Sequence, residues 1–177
     1  MSRIANRIIS IPENVKVRLE KEKIFVKSST GEREELNFPV ELEVIIKSSQ
    51  ISTKSKNNPL AGTYNSLIYN MIKGVLEGYQ CIVEVKGVGY KVILKDKKLE
   101  FSLARSHLNY VDIPQGLEVT VEKNKIVVKG SNKQKVSSFV ANKIRSLRLP
   151  SIYKESKGIY YIDEEKTIKI KKKKNVK

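Results

Sequence analysis

The segment Val85-Lys86-Gly87-Val88-Gly89-Tyr90-Lys91 sets two glycines and an aromatic between two lysines. Glycine lets a backbone approach a phosphate where a Cβ would collide, and lysine supplies the attracting charge. An isolated G-x-G in strand-like surroundings more often marks a bulge or bend, so that reading stands beside the phosphate one. It is no dinucleotide fingerprint, since the third glycine would fall at Val92, and no P-loop, since the lysine spacing is wrong. From Arg145 onward, Arg148, Lys154, Lys157, Lys169, Lys171, Lys172, Lys173 and Lys174 are interspersed with Tyr153, Tyr160 and Tyr161. Cations attract phosphate and tyrosines stack on bases, although each tyrosine fits equally well as an anchor holding an edge strand or loop to the core. The single histidine, His107, follows Ser106 and suits either an RNA contact or a packed residue. One histidine and one distant cysteine make no metal-ligand pattern, and the carboxylates sit beside lysines, as in Glu20-Lys21, as on a solvated surface. No catalytic, cofactor-binding or metal residues are expected.

The composition points the same way. Lys and Arg total 35 against 19 Asp and Glu, a formal charge of +16, which repels itself unless a polyanion is near. The terminal lysine run also suits anionic lipid or an address signal. Cys81 stands alone, which excludes an internal disulfide, and beside Ile82 it reads as a buried thiol in a reducing compartment. The N-terminus lacks the apolar segment of a secretory signal, and no stretch approaches the ~20 apolar residues of a membrane span, so a soluble intracellular protein is expected.

What positions these residues is an internal repeat. Residues 11–29 (IPENVKVRLEKEKIFVKSS) align without gaps to residues 113–131 (IPQGLEVTVEKNKIVVKGS), with ten of nineteen positions identical. Each copy alternates apolar and polar residues, turns at a charged pair and alternates again, which predicts a β-hairpin with one buried face, written twice. A helix-period segment follows each copy. The first is introduced by Asn58 as cap and Pro59, with Leu60, Tyr64, Leu67, Ile68, Met71 and Val75 on its stripe. The second begins near Asn132 and carries Val136, Phe139, Val140, Ile144 and Leu147, ending at Pro150. Lys143 falls inside its apolar arc without explanation. Residues 31–39, rich in glutamate, read as an exposed loop. The expected fold is α+β: two duplicated domains, each a small, mainly antiparallel sheet with one helix on one face. The boundary falls near residues 78–81. Residues 1–81 carry 12 basic and 9 acidic side chains, whereas residues 82–177 carry 23 and 10, so the second domain is the expected main RNA-binding domain.

Taken in order, these residues resemble a known family, the sixth protein of the large ribosomal subunit, in its bacterial type. The marks are Ser2-Arg3-Ile4, Ile11-Pro12, Gly62-Thr63, Leu67, Asn70-Met71, Gly74-Val75 and Gly78-Tyr79, then Gly87-Val88-Gly89-Tyr90, Ser106-His107, Ile113-Pro114, Lys133-Gln134, Ile144-Arg145, Arg148, Pro150, Tyr153-Lys154 and Lys157-Gly158-Ile159. The chain departs from the family pattern at Ala61, Asn65 and Leu108. The second helix is one residue longer before Ile144, and so is the stretch from Pro150 to Tyr161. The resemblance implies a structural constituent of the large subunit, a monomer within the cytoplasmic ribosome, without enzymatic activity or cofactor and away from membranes. It implies contact with large-subunit ribosomal RNA near the sarcin-ricin loop, with neighbouring ribosomal proteins and translation factors docking nearby. By carry-over the contacts are Lys86, Gly87, Gly89, Tyr90 and Lys91; Arg105, Ser106 and His107; and Tyr153, Lys154, Lys157, Gly158 and Tyr160, with Lys169 and the terminal lysines extending the surface. The alternative is an RNA-modifying or other RNA-binding enzyme outside the ribosome.

Overall fold

A computed structural model describes residue 4 and residues 7–29, 31, 33–47, 49–55, 57–151, 157–162 and 164. The chain divides into two compact units, Met1–Tyr79 with Ser131–Lys133, and Gln80–Gly130 with Gln134–Lys177.

The first unit contains β1 (Ile9–Ser10), β2 (Val15–Glu20), β3 (Lys23–Ser28), β4 (Arg33–Asn37), β5 (Leu42–Lys47), β6 (Gln50–Ser55) and α1 (Asn58–Glu77). Two antiparallel sheets form, in the orders β2-β3-β4 and β1-β6-β5. The β2–β3 pair is the expected hairpin, running from Val15 opposite Ser28 to Glu20 opposite Lys23. Strand β4 corrects the loop expected over residues 31–39. Glutamate disfavours strands, but the segment pairs with β3, half-buries Leu36 against the core, and gives Glu34 a hydrogen bond from Asn132 at 2.9 Å. Pairing and packing outweigh the local propensity. Helix α1 packs on strands of both sheets. Its cap is Asn57, one residue before the Asn58 expected from sequence, and its buried stripe includes Ala61 and Ile72 beside Ile68, Met71 and Val75, with Leu60 and Tyr64 at the margin.

The second unit takes up β7 (Tyr79–Lys86), β8 (Lys91–Lys95), β9 (Lys98–Ser102), β10 (Asn109–Asp112), β11 (Leu117–Glu122), β12 (Lys125–Gly130), α2 (Lys133–Ser138) and β13 (Gly158–Tyr161), in sheets ordered β10-β9-β8 and β11-β12-β7-β13. The repeated hairpin returns position for position, with Leu117 opposite Gly130 and Glu122 opposite Lys125. Even the turn is shared, since Lys21 and Lys123 both hold left-handed φ, +40° and +54°.

After α2 the helix continues as a π-helical stretch, Phe139–Ile144, and a 3-10 turn, Arg145–Leu147. The Arg145 N–H donates to the carbonyl of Val140, five residues back, where an α-helix would reach four. That geometry accounts for Lys143. The chain turns wide there, so Lys143 faces solvent while Ile144 stays fully buried beside Phe139 and Val140.

Candidate nucleic-acid interface

Strand register brings four separate segments to one end of the second unit. Strand β7 ends at Lys86, a turn closed by the Tyr90 N–H donating to the Gly87 carbonyl (3.2 Å) follows, and β8 starts at Lys91. Lys91 lies opposite Ser102, so residues 103–108 leave β9 from that same end. Lys86 lies opposite Gly158 on its other flank. The backbone then ties in residues 147–151, through Ile159 N–H to the Arg148 carbonyl (3.0 Å) and Ser151 N–H to the Lys157 carbonyl (2.9 Å). The Arg105 guanidinium donates to the Leu147 carbonyl at 3.0 Å. Exposed at this end are Lys91, Arg105, Ser106, His107 and Arg148, with Lys86 and Lys157 half-buried. The G-x-G is therefore neither a bulge nor a bend within one strand. It is a turn that passes the chain from one sheet to another.

Burial divides the sequence-derived candidates. Tyr90 is 5% exposed and Tyr160 2%: Tyr160 takes the anchoring role that stood beside stacking, and Tyr90, expected as a contact, has its ring turned inward. The reason is packing: a Cβ on Gly87 would lie 2.7 Å from the Tyr90 ring, and the Tyr160 hydroxyl donates to the Ser151 carbonyl at 3.3 Å. Gly87 makes room for a side chain of the protein itself. Gly158 does the same for backbone, since a Cβ there would meet the Leu149 carbonyl at 2.7 Å. Gly89 differs, having φ +76° and nothing within 4 Å of where its Cβ would be. Between them Val88 is 89% exposed at the loop tip. The Lys86 ammonium lies 3.6 Å from Glu84 and 6.0 Å over the Tyr160 ring, so these residues hold its stem in place.

Arg145, one of the cations in the basic stretch, has a structural setting instead. It pairs with the Glu164 carboxylate and lies 4.8 Å over Tyr161, whose N–H donates to the same carboxylate at 2.9 Å. Arg148, from the basic stretch, and Val88, inside the glycine segment, were not singled out as contacts but are exposed members of this surface. Arg148 had a signal, three residues after Arg145 and two before Pro150; Val88 had none beyond its glycine neighbours. Tyr153, Lys154, Lys169, Lys171, Lys172, Lys173 and Lys174 lie outside the described residues.

Elsewhere, burial pushes the half-buried Cys81 thiol up from its ordinary pKa. A hydrogen bond to Glu100, at 2.6 Å, raises Lys95. Among the described residues no three His, Cys, Asp or Glu side chains cluster as metal ligands, and no helix is long and apolar enough to cross a membrane.

Known proteins match this chain along most of its length. The family model described as Ribosomal protein L6 matches residues 86–162. The large ribosomal subunit protein uL6 of Helicobacter pylori (strain G27) is 42% identical over 169 residues, covering 93% of each chain. That of Campylobacter jejuni (strain RM1221) is 43% identical over 170 residues, again covering 93% of each. The class these matches define is the ribosomal proteins, which are structural rather than enzymatic. Within it, the chain belongs to the ribosomal protein L6 family, bacterial type.

Proposed function

We propose that the end of the second unit built by residues 86–91, 103–108, 147–151 and 157–158 binds large-subunit ribosomal RNA, near the sarcin-ricin loop and the region where translation factors dock. Family membership makes the chain a structural constituent of the large subunit in the cytoplasmic ribosome, with ribosomal RNA and ribosomal proteins around it, and sets aside the enzyme alternative. The observation that carries the proposal is convergence: Lys86, Lys91, Arg105, His107, Arg148 and Lys157 come from four chain segments to one end. Cations held there neutralise phosphates and let RNA helices approach, while the open side of Gly89 admits a backbone where a Cβ would stand. Tyr90 and Tyr160 act from inside, fixing the loop and Lys86. Translation factors come near as neighbours, and the second domain carries most of the RNA contact. Lys169 and the terminal lysines add phosphate attraction, so deleting residues 171–177 should cause partial rather than complete loss of binding.

The test uses full-length protein carrying Lys91→Glu and Arg105→Glu, assembled into large subunits that are then washed at rising salt. Removing one cation from a phosphate lowers the salt slope by about 1, so the double variant should be released at lower salt with its near-UV circular dichroism unchanged. Retention equal to the wild type would rule this end out as the RNA-binding surface.

A further inference from the structure

The first unit has only a small positive excess by count, and its cations are not evenly spread. On the face of the β2-β3-β4 sheet turned away from Val15, Ile24 and Val26 of the core, register puts Lys16 opposite Lys27 and Lys27 opposite Arg33. All three are exposed, and among the described residues none is paired with a carboxylate. Neighbouring strands lie ~4.8 Å apart, so the row is a line of like charges about 10 Å long. Like charges directly opposite one another destabilise a sheet. The next row, Arg18, Phe25 and Glu35, adds a cation and a half-buried ring beside it, and a shallow groove of about 600 Å³ runs along both.

The duplicate hairpin supplies an internal control. Lys16 opposite Lys27 becomes Glu118 opposite Lys129, Arg18 becomes Thr120, and Phe25 becomes Val127. The outward face of the first hairpin thus has four cations (Lys16, Arg18, Lys23, Lys27) against one carboxylate, Glu20. Its copy in the more basic unit has two of each, Lys125 and Lys129 against Glu118 and Glu122. The scaffold therefore folds with a self-complementary face, and the first copy carries a repulsive one that an external anion would relieve.

We propose that this face is a second RNA-binding surface, with the row Lys16–Lys27–Arg33 gripping a sugar-phosphate backbone of ribosomal RNA and Phe25 lying against a ribose or base. The long side chains of the row can spread to reach successive phosphates, guanidinium groups suit phosphate oxygens, and an aromatic flank suits nucleotides. Glu20 and Glu35 repel an anion from the rest of the face, which confines its path to the row.

The experiment uses the full-length chain with Lys16, Lys27 and Arg33 all changed to Gln, and a separate Cys81→Ser chain carrying Lys27→Cys or Lys91→Cys tethered to an iron chelate. The triple-Gln protein should be at least as stable as the wild type, because repulsion is removed, yet the salt slope of its binding to large-subunit ribosomal RNA should fall by about 2 to 3. In assembled subunits the chelate at position 27 should cleave ribosomal RNA at sites different from those cut from position 91. An unchanged salt slope, or no RNA cleavage from position 27, overturns the proposal; a triple variant that unfolds does so too, since the cations would then be structural. Cleavage from 27 but not from 91 would leave this surface standing and remove the one proposed for the second unit.

Discussion

The two glycines of the 86–91 turn should fail differently when each is given a side chain. At Gly87, φ is +152° and an added Cβ would sit 2.7 Å from the Tyr90 ring, which itself is buried. Backbone in that region costs an alanine about 1–3 kcal/mol, and forcing the ring aside costs about 1–3 kcal/mol as overpacking. Gly87→Ala should therefore destabilise the second unit by roughly 2–6 kcal/mol. At Gly89, φ is +76° and the space is open. The left-handed conformation costs Ala about 1–2 kcal/mol, partly offset by about 0.4–1 kcal/mol from the stiffer unfolded chain, so the net cost is about 1 kcal/mol. For a unit of this size 1 kcal/mol moves Tm by about 4–8 °C. Calorimetry should thus show Gly87→Ala melting at least ~8 °C below the wild type and Gly89→Ala at most ~8 °C below it. In the subunit wash the order should reverse among molecules that fold, with Gly89→Ala released more readily because its new methyl stands where RNA backbone is proposed to approach. If Gly87→Ala melted like the wild type, or Gly89→Ala melted lower, the assignment of packing to one glycine and access to the other would be wrong.

Other perturbations test other parts of the fold. Deleting Lys143 brings Val136, Phe139, Val140 and the present Ile144 to α-helical spacing, so the π stretch should revert to α and stability change by less than about 1.5 kcal/mol. If the helix were α throughout, the deletion would rotate Ile144 off the core and cost about 2–5 kcal/mol in urea denaturation. Glu164→Gln deprives Arg145 of its charge partner and weakens a bond from the Tyr161 backbone. With the side chains 27% and 20% exposed, water screens part of the pair, and a destabilisation of about 1–2 kcal/mol is expected. No change would mean the pair contributes nothing. Cys81 has a folded pKa raised by burial, so its neutral thiol favours the fold fully below the unfolded thiol's pKa, and that contribution is lost as pH rises through the folded value. Iodoacetamide at pH 8 should alkylate the native chain more slowly than the urea-unfolded chain; equal rates would refute the burial.

The hairpins were readable because a period of two with a charged turn admits few alternatives, and writing it twice removed the ambiguity of a single copy. What escaped the sequence are cases where packing decides between two chemically acceptable roles. Tyr90 and Tyr160 have rings equally suited to a base or a core, and only their placement over Gly87 and beside Ser151 assigns them to the interior. Strand β4 was hidden by its glutamates, because propensity speaks for the isolated segment and not for its pairing with β3. Lys143 looked like a flaw in an apolar stripe because the stripe was counted at 3.6 residues per turn through a stretch that turns more slowly. The convergence of Lys91, Arg105 and Arg148 depends on register, which no local pattern in those segments records.

The contrast in net charge between the two halves pointed to one RNA-facing domain, but a surface attracts anions through the charges its own carboxylates leave uncompensated. In the second unit Lys95 is tied to Glu100 at 2.6 Å, Lys98 to Asp112 at 3.0 Å, and Arg145 to Glu164. Those cations raise the count more than they raise the outward field. In the first unit the carboxylates Glu41, Glu43 and Glu77 lie away from the outer hairpin face, and the three cations in its row face one another instead. Duplication supplied two copies of one hairpin, and because outward side chains on a half-buried sheet are free of packing constraints, each copy could change its charges without changing its fold. The second copy's outward face is self-complementary, with Glu118 and Glu122 beside Lys125 and Lys129. The first copy carries a repulsive row, and the cost of such a row makes it an indicator of binding that total charge does not provide.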